Sequence, residues 1–458
     1  MPLLVLTALL CHTTAASPPL ALHPENPHYL LFRGRPTVLI TSGEHYGAVL
    51  NLAFDTVPYL DELKACGLNL TRTFSGVYCE GPGSFKIKGN PLAPKPGRLL
   101  CPWARSTTPG YPNGGNKFDL TKWDEAYFAR LKDFLTQAGQ RGIVVELVLF
   151  CPFYGDAMWA LSPMKASNNV NGIGAVPRTE VYTLKHPPLV ALHESLVRKI
   201  ATELNAFDNL YYEVCNEPYF GGVTVEWQHR IVEALVDAEK ALPHQHLIAQ
   251  NIANKTAKVE KPHPAVSIFN FHYATPPVAV GTNYGLGKVI ADDETGFRGP
   301  SDFVYRHEGW EFLLGGGGIY SNLDYSFTPD HEDGTARPDA PGGGGRALRR
   351  QLQVLSQFLH GFDFVRMAPD AGVVKGGVPT GGAVHALVET GKQYALYVRG
   401  GQRADLVLDL PAGRYCAEWV NTETGAVEGP ETFDHPGGPR PLRSPAYTED
   451  IALRIKHQ

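Results

Sequence analysis

The chain has 458 residues, 43% of them hydrophobic and 19% charged, with a formal net charge of −5. That length supports one large domain plus a smaller one. Both signs of charge are spread along the chain without a basic block, which argues against nucleic acid as a partner, and no later run reaches the ~20 apolar residues of a membrane span.

Residues 2–16 are apolar and small and lead into Ser17-Pro18-Pro19, so residues 1–20 read as a secretory leader and place the protein outside the cell or in the periplasm. The run lacks an early Lys or Arg, which leaves a cytoplasmic location open. Seven cysteines show no metal-type spacing, and no metal or other cofactor is expected. Cys79 and Cys101 flank one Gly/Pro-rich loop and could pair if the protein is exported, whereas Cys215 reads as a small buried residue.

From residue 37 to 362, apolar strand-like runs alternate with amphipathic ones. Eight strands are predicted, at 37–42, 68–74, 143–150, 210–215, 246–251, 266–271, 288–292 and 316–323. Helices are predicted at 55–65, 120–141, 188–205, 224–242, 302–314 and 347–362, with shorter pieces after strands five and six. Trp227, Ile231, Leu235 and Ala238 share one helix face, and Thr224 is placed to cap that helix. Eight strand–helix units with right-handed crossovers close into an α/β (β/α)8 barrel, whose strand C-termini carry the site. Three long connections, 77–116, 152–186 and 328–346, all follow strands and would build up that one face.

After Met367 the pattern changes to short alternating runs at 383–388, 393–398, 405–410, 414–420 and 450–455, separated by Gly-containing turns. Residues 367–458 therefore read as a small antiparallel β-sandwich docked on a barrel spanning 21–366, with Trp419 packing against the barrel.

The run Tyr211-Tyr212-Glu213-Val214-Cys215-Asn216-Glu217-Pro218-Tyr219 puts a carboxylate at the tip of strand four, and Asp292-Asp293-Glu294 puts another at the tip of strand seven. Two carboxylates across a barrel mouth suit glycosidic bond cleavage, where one protonates the leaving oxygen and the other attacks the sugar carbon. Because strand neighbours alternate faces, only one of Asp292, Asp293 and Glu294 is expected to point into the cleft, and Glu294 has the longer reach. Glu217 would need a raised pKa to hold a proton near neutral pH. Glu44 and His45, ending strand one, are candidates for sugar hydroxyls. Trp103, Tyr154, Trp159, Tyr219 and Tyr325 are candidate stacking residues. Glu146 and Glu213 lie deeper and are expected in buried networks, and Asn69-Leu70-Thr71 lies in a strand and so is not read as a glycosylation site.

The strand-four Asn216-Glu217-Pro218 with Glu294 on strand seven resembles clan A of the glycoside hydrolases, including the family 5 cellulase-type enzymes. The resemblance implies a retaining β-glycoside hydrolase acting on an oligo- or polysaccharide, with Glu217 as acid/base, Glu294 as nucleophile and Asn216 on the sugar 2-hydroxyl. It also implies Arg72 as support for the nucleophile and His272-Tyr273 as the pair near it. The hairpin around 29–36 and the trailing β domain resemble apiosidase-like members. Where the family has a strand-eight Trp, this chain offers Tyr320, Asp324 or Tyr325, which leaves the sugar open. Two other readings compete: a non-catalytic sugar-binding barrel, and a metal-dependent hydrolase using His45, His272 and Asp292. Oligomeric state is not legible.

Overall fold

The computed structural model describes residues 17–458, so the expected leader lies largely outside the described residues. Eight parallel strands form the central sheet: β1 (Leu39–Gly43), β2 (Leu70–Phe74), β3 (Val144–Phe150), β4 (Leu210–Cys215), β5 (Ile248–Asn254), β6 (Ile268–His272), β7 (Val289–Glu294) and β8 (Ile319–Leu323). They run in the order β1-β8-β7-β6-β5-β4-β3-β2, a nearly closed (β/α)8 barrel, as the alternation predicts. β3 shows why they are strands: Val144–Phe150 is almost wholly apolar and every residue is buried, as a strand covered on both faces requires.

Asn69 closes the gap between β1 and β2. Its backbone N–H donates to Ile40 O (3.2 Å), its Oδ1 accepts from Ile40 N (2.8 Å), and its Nδ2 donates to Val38 O (2.9 Å). At the opposite end from the site, the hairpin of Leu30–Phe32 and Arg35–Thr37 folds under the barrel. Leu30 and Phe32, with Leu20, pack against the first inward layer, Leu39, Leu70, Val144, Tyr211, Ala249, Ile268 and Ile319. The N-terminal end is thus plugged, and the interior opens only where the strands end.

Among the described residues, seven helices of six or more residues surround the sheet: α1 (Thr56–Ala65), α2 (Glu125–Gln140), α3 (Pro187–Leu204), α4 (Val225–Glu239), α5 (Val278–Asn283), α6 (Asp302–Leu314) and α7 (Arg346–His360). Thr224 caps α4 through Trp227 N, as expected. Two expectations fail. No helix follows β5 before β6 among the described residues, and α2 does not begin at Leu120. Instead Asn116–Trp123 pairs with Trp103–Pro109 as a hairpin, with Phe118 and Leu120 buried, and Asp124 starts the helix by accepting from Ala126 N and Tyr127 N.

From Ala368 onward the chain forms a six-stranded and a three-stranded antiparallel sheet. The sheets include two strands the alternation did not reveal, Val427–His435 and Gly438–Arg443. The side chains of Leu396, Leu406, Leu408, Tyr415 and Leu453 fill the space between the sheets. Trp419 belongs to this inner core, a correction to its expected place on the barrel. The barrel-facing side is carried by Leu387, Ala395, Tyr397, Val420 and Ala452. Trp310 of α6 stacks on Tyr397 at 5.4 Å and 16°, and Arg306 of α6 forks onto Asp450 at 3.1 and 2.9 Å. No helix among the described residues is long and apolar enough to cross a membrane.

Candidate active site

The C-terminal ends of the strands surround a cavity with about 80 Å³ of free space, lined by both Glu217 and Glu294. One oxygen of each carboxylate and Nδ1 of His272 or its other ring nitrogen lie within 4.8 Å of one another. His272 Nδ1 stands 3.3 Å from Glu217 Oε1 and 3.6 Å from Glu294 Oε1, and Nε2 stands 3.3 Å from Asp293 Oδ1.

The two carboxylates have different surroundings. Glu217 accepts from Tyr154 Oη at 2.6 Å. Tyr219 Oη lies 3.2 Å from Glu217 Oε1 and 2.6 Å from Asn254 Oδ1, so its single proton serves one of them at a time. Glu294 Oε2 accepts from Tyr46 Oη at 2.9 Å and from Arg72 Nη1 at 3.3 Å, while Tyr273 Oη donates to Oε1 at 3.4 Å. Burial would push the Glu217 carboxyl up. The hydrogen bond and charge of His272, with the Tyr154 and Tyr219 hydroxyls, outweigh it and hold Glu217 below the usual range. Burial likewise opposes a charge on His272, but Glu294, Asp293 and Glu217 push its pKa well above normal. In this arrangement the shared proton rests on His272, opposite to the raised Glu217 pKa expected from the sequence.

Beneath the pair, Arg72 is buried among carboxylates. It donates to Glu213 Oε2 through Nε (3.1 Å) and Nη2 (2.5 Å), to Asn216 Oδ1 (2.8 Å) and to Glu294, with Glu146 and Asp293 at 3.7 and 3.6 Å. Burial and the charges of Asp293 and Glu213 push Glu146 well up, despite Arg72. Glu146, Glu213 and Asp293 could together offer three metal-ligand oxygens within 4.8 Å, and Glu217, His272 and Glu294 two oxygens and a ring nitrogen. The fixed charge of Arg72 serves the first group and the protonated His272 the second, each in the role a cation would take.

The expected alternation in Asp292-Asp293-Glu294 is broken. Phe271 pairs with Asp292 but His272 pairs with Glu294, an irregularity that skips one residue. Asp293 and Glu294 therefore both face the interior cluster, Asp293 accepting from Asn270 Nδ2 at 2.5 Å. Asp292 instead accepts from Ala274 N, with Glu308 of α6 nearby, so the His45–His272–Asp292 trio is not brought together.

Tyr46, Glu217 and Tyr273 all have left-handed backbone, with φ of 55°, 36° and 53°. Such strain in non-glycine residues collects at functional sites and persists only when the surroundings fix it. Here Phe74 N donates to Tyr46 O, Phe220 N to Glu217 O, and Tyr273 N to Glu294 O.

Asn216 and Tyr273 line the cavity, as does His45. Asn216 is engaged on both sides, by Arg72 at Oδ1 and by Tyr154 at Nδ2 (2.9 Å). Glu44 does not line the cavity: its carboxylate accepts from Gly47 N and Ala48 N, and burial pushes its pKa up to about 7. Trp159 is buried and donates to Val176 O, so no face is free for a sugar. Trp103 is buried at the base of the hairpin after β2, beside Trp123. Tyr325 stands behind His45 and Phe297. Cys79 and Cys101 are free buried thiols, each pushed up to about 12, mainly by burial. Tyr46 and Glu80, and the rim residues Phe85 and Phe297, were not singled out in the sequence. They sit in strand-end and loop segments without periodicity. Only the adjacency of Tyr46 to Glu44-His45 hinted at any of them.

Residues 98–288 match the family model of the cellulases, glycosyl hydrolase family 5. The matched stretch contains Asn216-Glu217 and His272-Tyr273 and stops before Glu294. Among solved structures, the chain is similar to a glycoside hydrolase family 5 protein from Bacteroides vulgatus (13% identity, covering 96% of this chain and 93% of that one, TM-score 0.65). It is similar to a second glycoside hydrolase (15% identity, 96% and 97%, TM-score 0.66). A glycoside hydrolase family 30 subfamily 8 xylanase from Clostridium acetobutylicum aligns at 13% identity over 96% and 100% of the two chains, with a TM-score of 0.50. No curated protein matches the chain. The fold is that of the glycoside hydrolases, and the chain carries a stretch of cellulase, family 5, type.

Proposed function

We propose that this protein is a retaining β-glycoside hydrolase that works by double displacement, with Glu294 as nucleophile and Glu217 as acid/base. The observation that carries this is the pair of carboxylate oxygens within 4.8 Å in one cavity. An oxygen pair closer than 4.8 Å falls on the side of retaining enzymes, whose carboxyl groups stand ~5–5.5 Å apart, rather than of inverting ones at ~6.5–9.5 Å.

Glu294 Oε1, the less engaged oxygen, attacks the anomeric carbon while the glycosidic oxygen leaves with a proton from Glu217. The proton held on His272 Nδ1 is 3.3 Å from Glu217 Oε1, within reach for transfer as substrate displaces water. Once Glu294 is esterified its charge is gone. Glu217 then takes a proton from the incoming water, which attacks the same carbon and releases Glu294. Arg72 holds Glu294 and Asn216 in one frame.

The test is a screen of nitrophenyl glycosides with the product anomer followed by NMR. Retained configuration is expected, and Glu294→Gln should abolish turnover. Glu217→Gln should lose ~10²–10⁴-fold on substrates with poor leaving groups, and much less on dinitrophenyl glycosides, which need no protonation. Inverted product, or full activity in both variants, would overturn the assignment.

A further inference from the structure

We propose that Glu80 and His45 form the far end of the sugar site, a clamp for adjacent hydroxyls of a terminal sugar, and that the enzyme is therefore exo-acting. The proposal rests on the retaining reading above and adds the direction in which the substrate enters.

Glu80 lies in the long connection after β2, is 2% exposed and lines the cavity. Its position is built. Its backbone N donates to Leu92 O at 2.8 Å, and its carboxylate accepts from Tyr78 Oη at 3.1 Å and from Asn90 Nδ2 at 2.5 Å. The same connection presses on Gly47, where an added Cβ would sit 2.2 Å from Pro91 C and 2.3 Å from its oxygen. Only glycine lets the loop approach β1's end this closely, and that approach brings Glu80 Oε1 to 3.6 Å from His45 Nε2. His45 also lines the cavity, and its buried Nδ1 has no partner within the protein. A buried polar atom left unpaired is costly, and a ligand hydroxyl would satisfy it. Glu80 offers the complementary acceptor.

The pair stands on the nucleophile's side. The His45 ring is 5.4 Å from that of Tyr46, which donates to Glu294. Glu217 is held from the other wall by Tyr154, and Tyr154 in turn meets the exposed Phe85, itself 6.2 Å from Phe297. The leaving oxygen must sit at Glu217, so the aglycone lies toward Tyr154 and Phe85 and the rest of the sugar points at His45 and Glu80. The free space within the cavity is about 80 Å³, well below the ~300–1,000 Å³ typical of ligand sites. A sugar inside a polymer would carry its next linkage into the wall made by Tyr78, Glu80 and Leu92.

The probes are the nitrophenyl glycoside hydrolysed fastest, its monodeoxy analogues, and reduced oligosaccharides of the same sugar. Wild-type enzyme should release only monosaccharide from the non-reducing end. One monodeoxy analogue other than the 2-deoxy compound, whose loss the retaining mechanism predicts by itself, should lose at least a hundredfold in kcat/KM. Glu80→Gln should raise KM at least tenfold on the parent glycoside and lose its disadvantage on that analogue. Longer products from the first turnovers, or no deoxy position besides the 2-position costing more than a few-fold, would overturn the proposal while leaving the retaining mechanism standing. Both of those measurements use the wild-type chain, so an unstable variant does not blunt them.

Discussion

Tyr46 shows how a single side chain can hold the site together. Its hydroxyl donates to Glu294 Oε2, its ring face lies 4.6 Å from the Arg72 guanidinium, and its backbone is left-handed. Tyr46→Phe keeps the ring and the cation–π contact and removes one hydrogen bond to a carboxylate, worth about 1.5–3 kcal/mol. We expect a roughly 10–100-fold fall in kcat/KM with the melting temperature little changed, measured on an aryl glycoside and by thermal unfolding. A large drop in melting temperature would instead make Tyr46 structural. Glu217 and Glu294 were legible because each ends an apolar run. Tyr46 and Glu80 were not, because their roles come from partners some 250 residues away or from a loop whose path only packing decides.

Helices α3 and α4 meet through a buried histidine. His193 accepts from Trp227 Nε1 at 3.2 Å through Nδ1, so the ring is neutral there, and burial pushes its pKa down to about 3. Above pH 6.5 it is neutral in both folded and unfolded chains. As pH falls below that value, the unfolded chain takes up a proton that the fold refuses, and stability drops by about 1.4 kcal/mol per pH unit. His193→Gln removes this dependence. Between pH 7.5 and 4.5 the wild type should lose roughly 3 kcal/mol more than the variant, read from urea unfolding of both. Equal losses would show that His193 is protonated in the fold. The helix itself was legible from its apolar face. The hairpin that displaced the start of α2 was not, because Leu120, seven residues before the buried Tyr127, also continues the apolar face of that helix.

The barrel-facing side of the C-terminal sheets shares a continuous core with the barrel. Tyr397, Ala395, Val420 and Ala452 pack with barrel residues, and Arg306 is buried against Asp450. Truncation after Arg366 would uncover Trp310 and Phe358 and leave Arg306 without Asp450, a buried charge losing its partner. The shortened chain is expected to be insoluble or inactive, as judged by its soluble yield and its turnover. A soluble, active barrel would show instead that the sheets are an accessory. The strands Val427–His435 and Gly438–Arg443 escaped notice because both are largely exposed and carry prolines, the composition of edge strands, with little beyond Phe433 and Leu442 reaching the core.

Local chemistry determined the barrel and the two strand-end carboxylates. Apolar periodicity and chain direction are properties of neighbouring residues, and they set which strand tip each Glu occupies. Tertiary structure decided the rest: that a slip in pairing between β6 and β7 turns Asp293 inward beside Glu294, that His272 takes the proton Glu217 was expected to keep, and that a loop crossing Gly47 closes the cavity with Glu80. Each of these depends on distances between segments far apart in the chain, and burial and charge act through those distances.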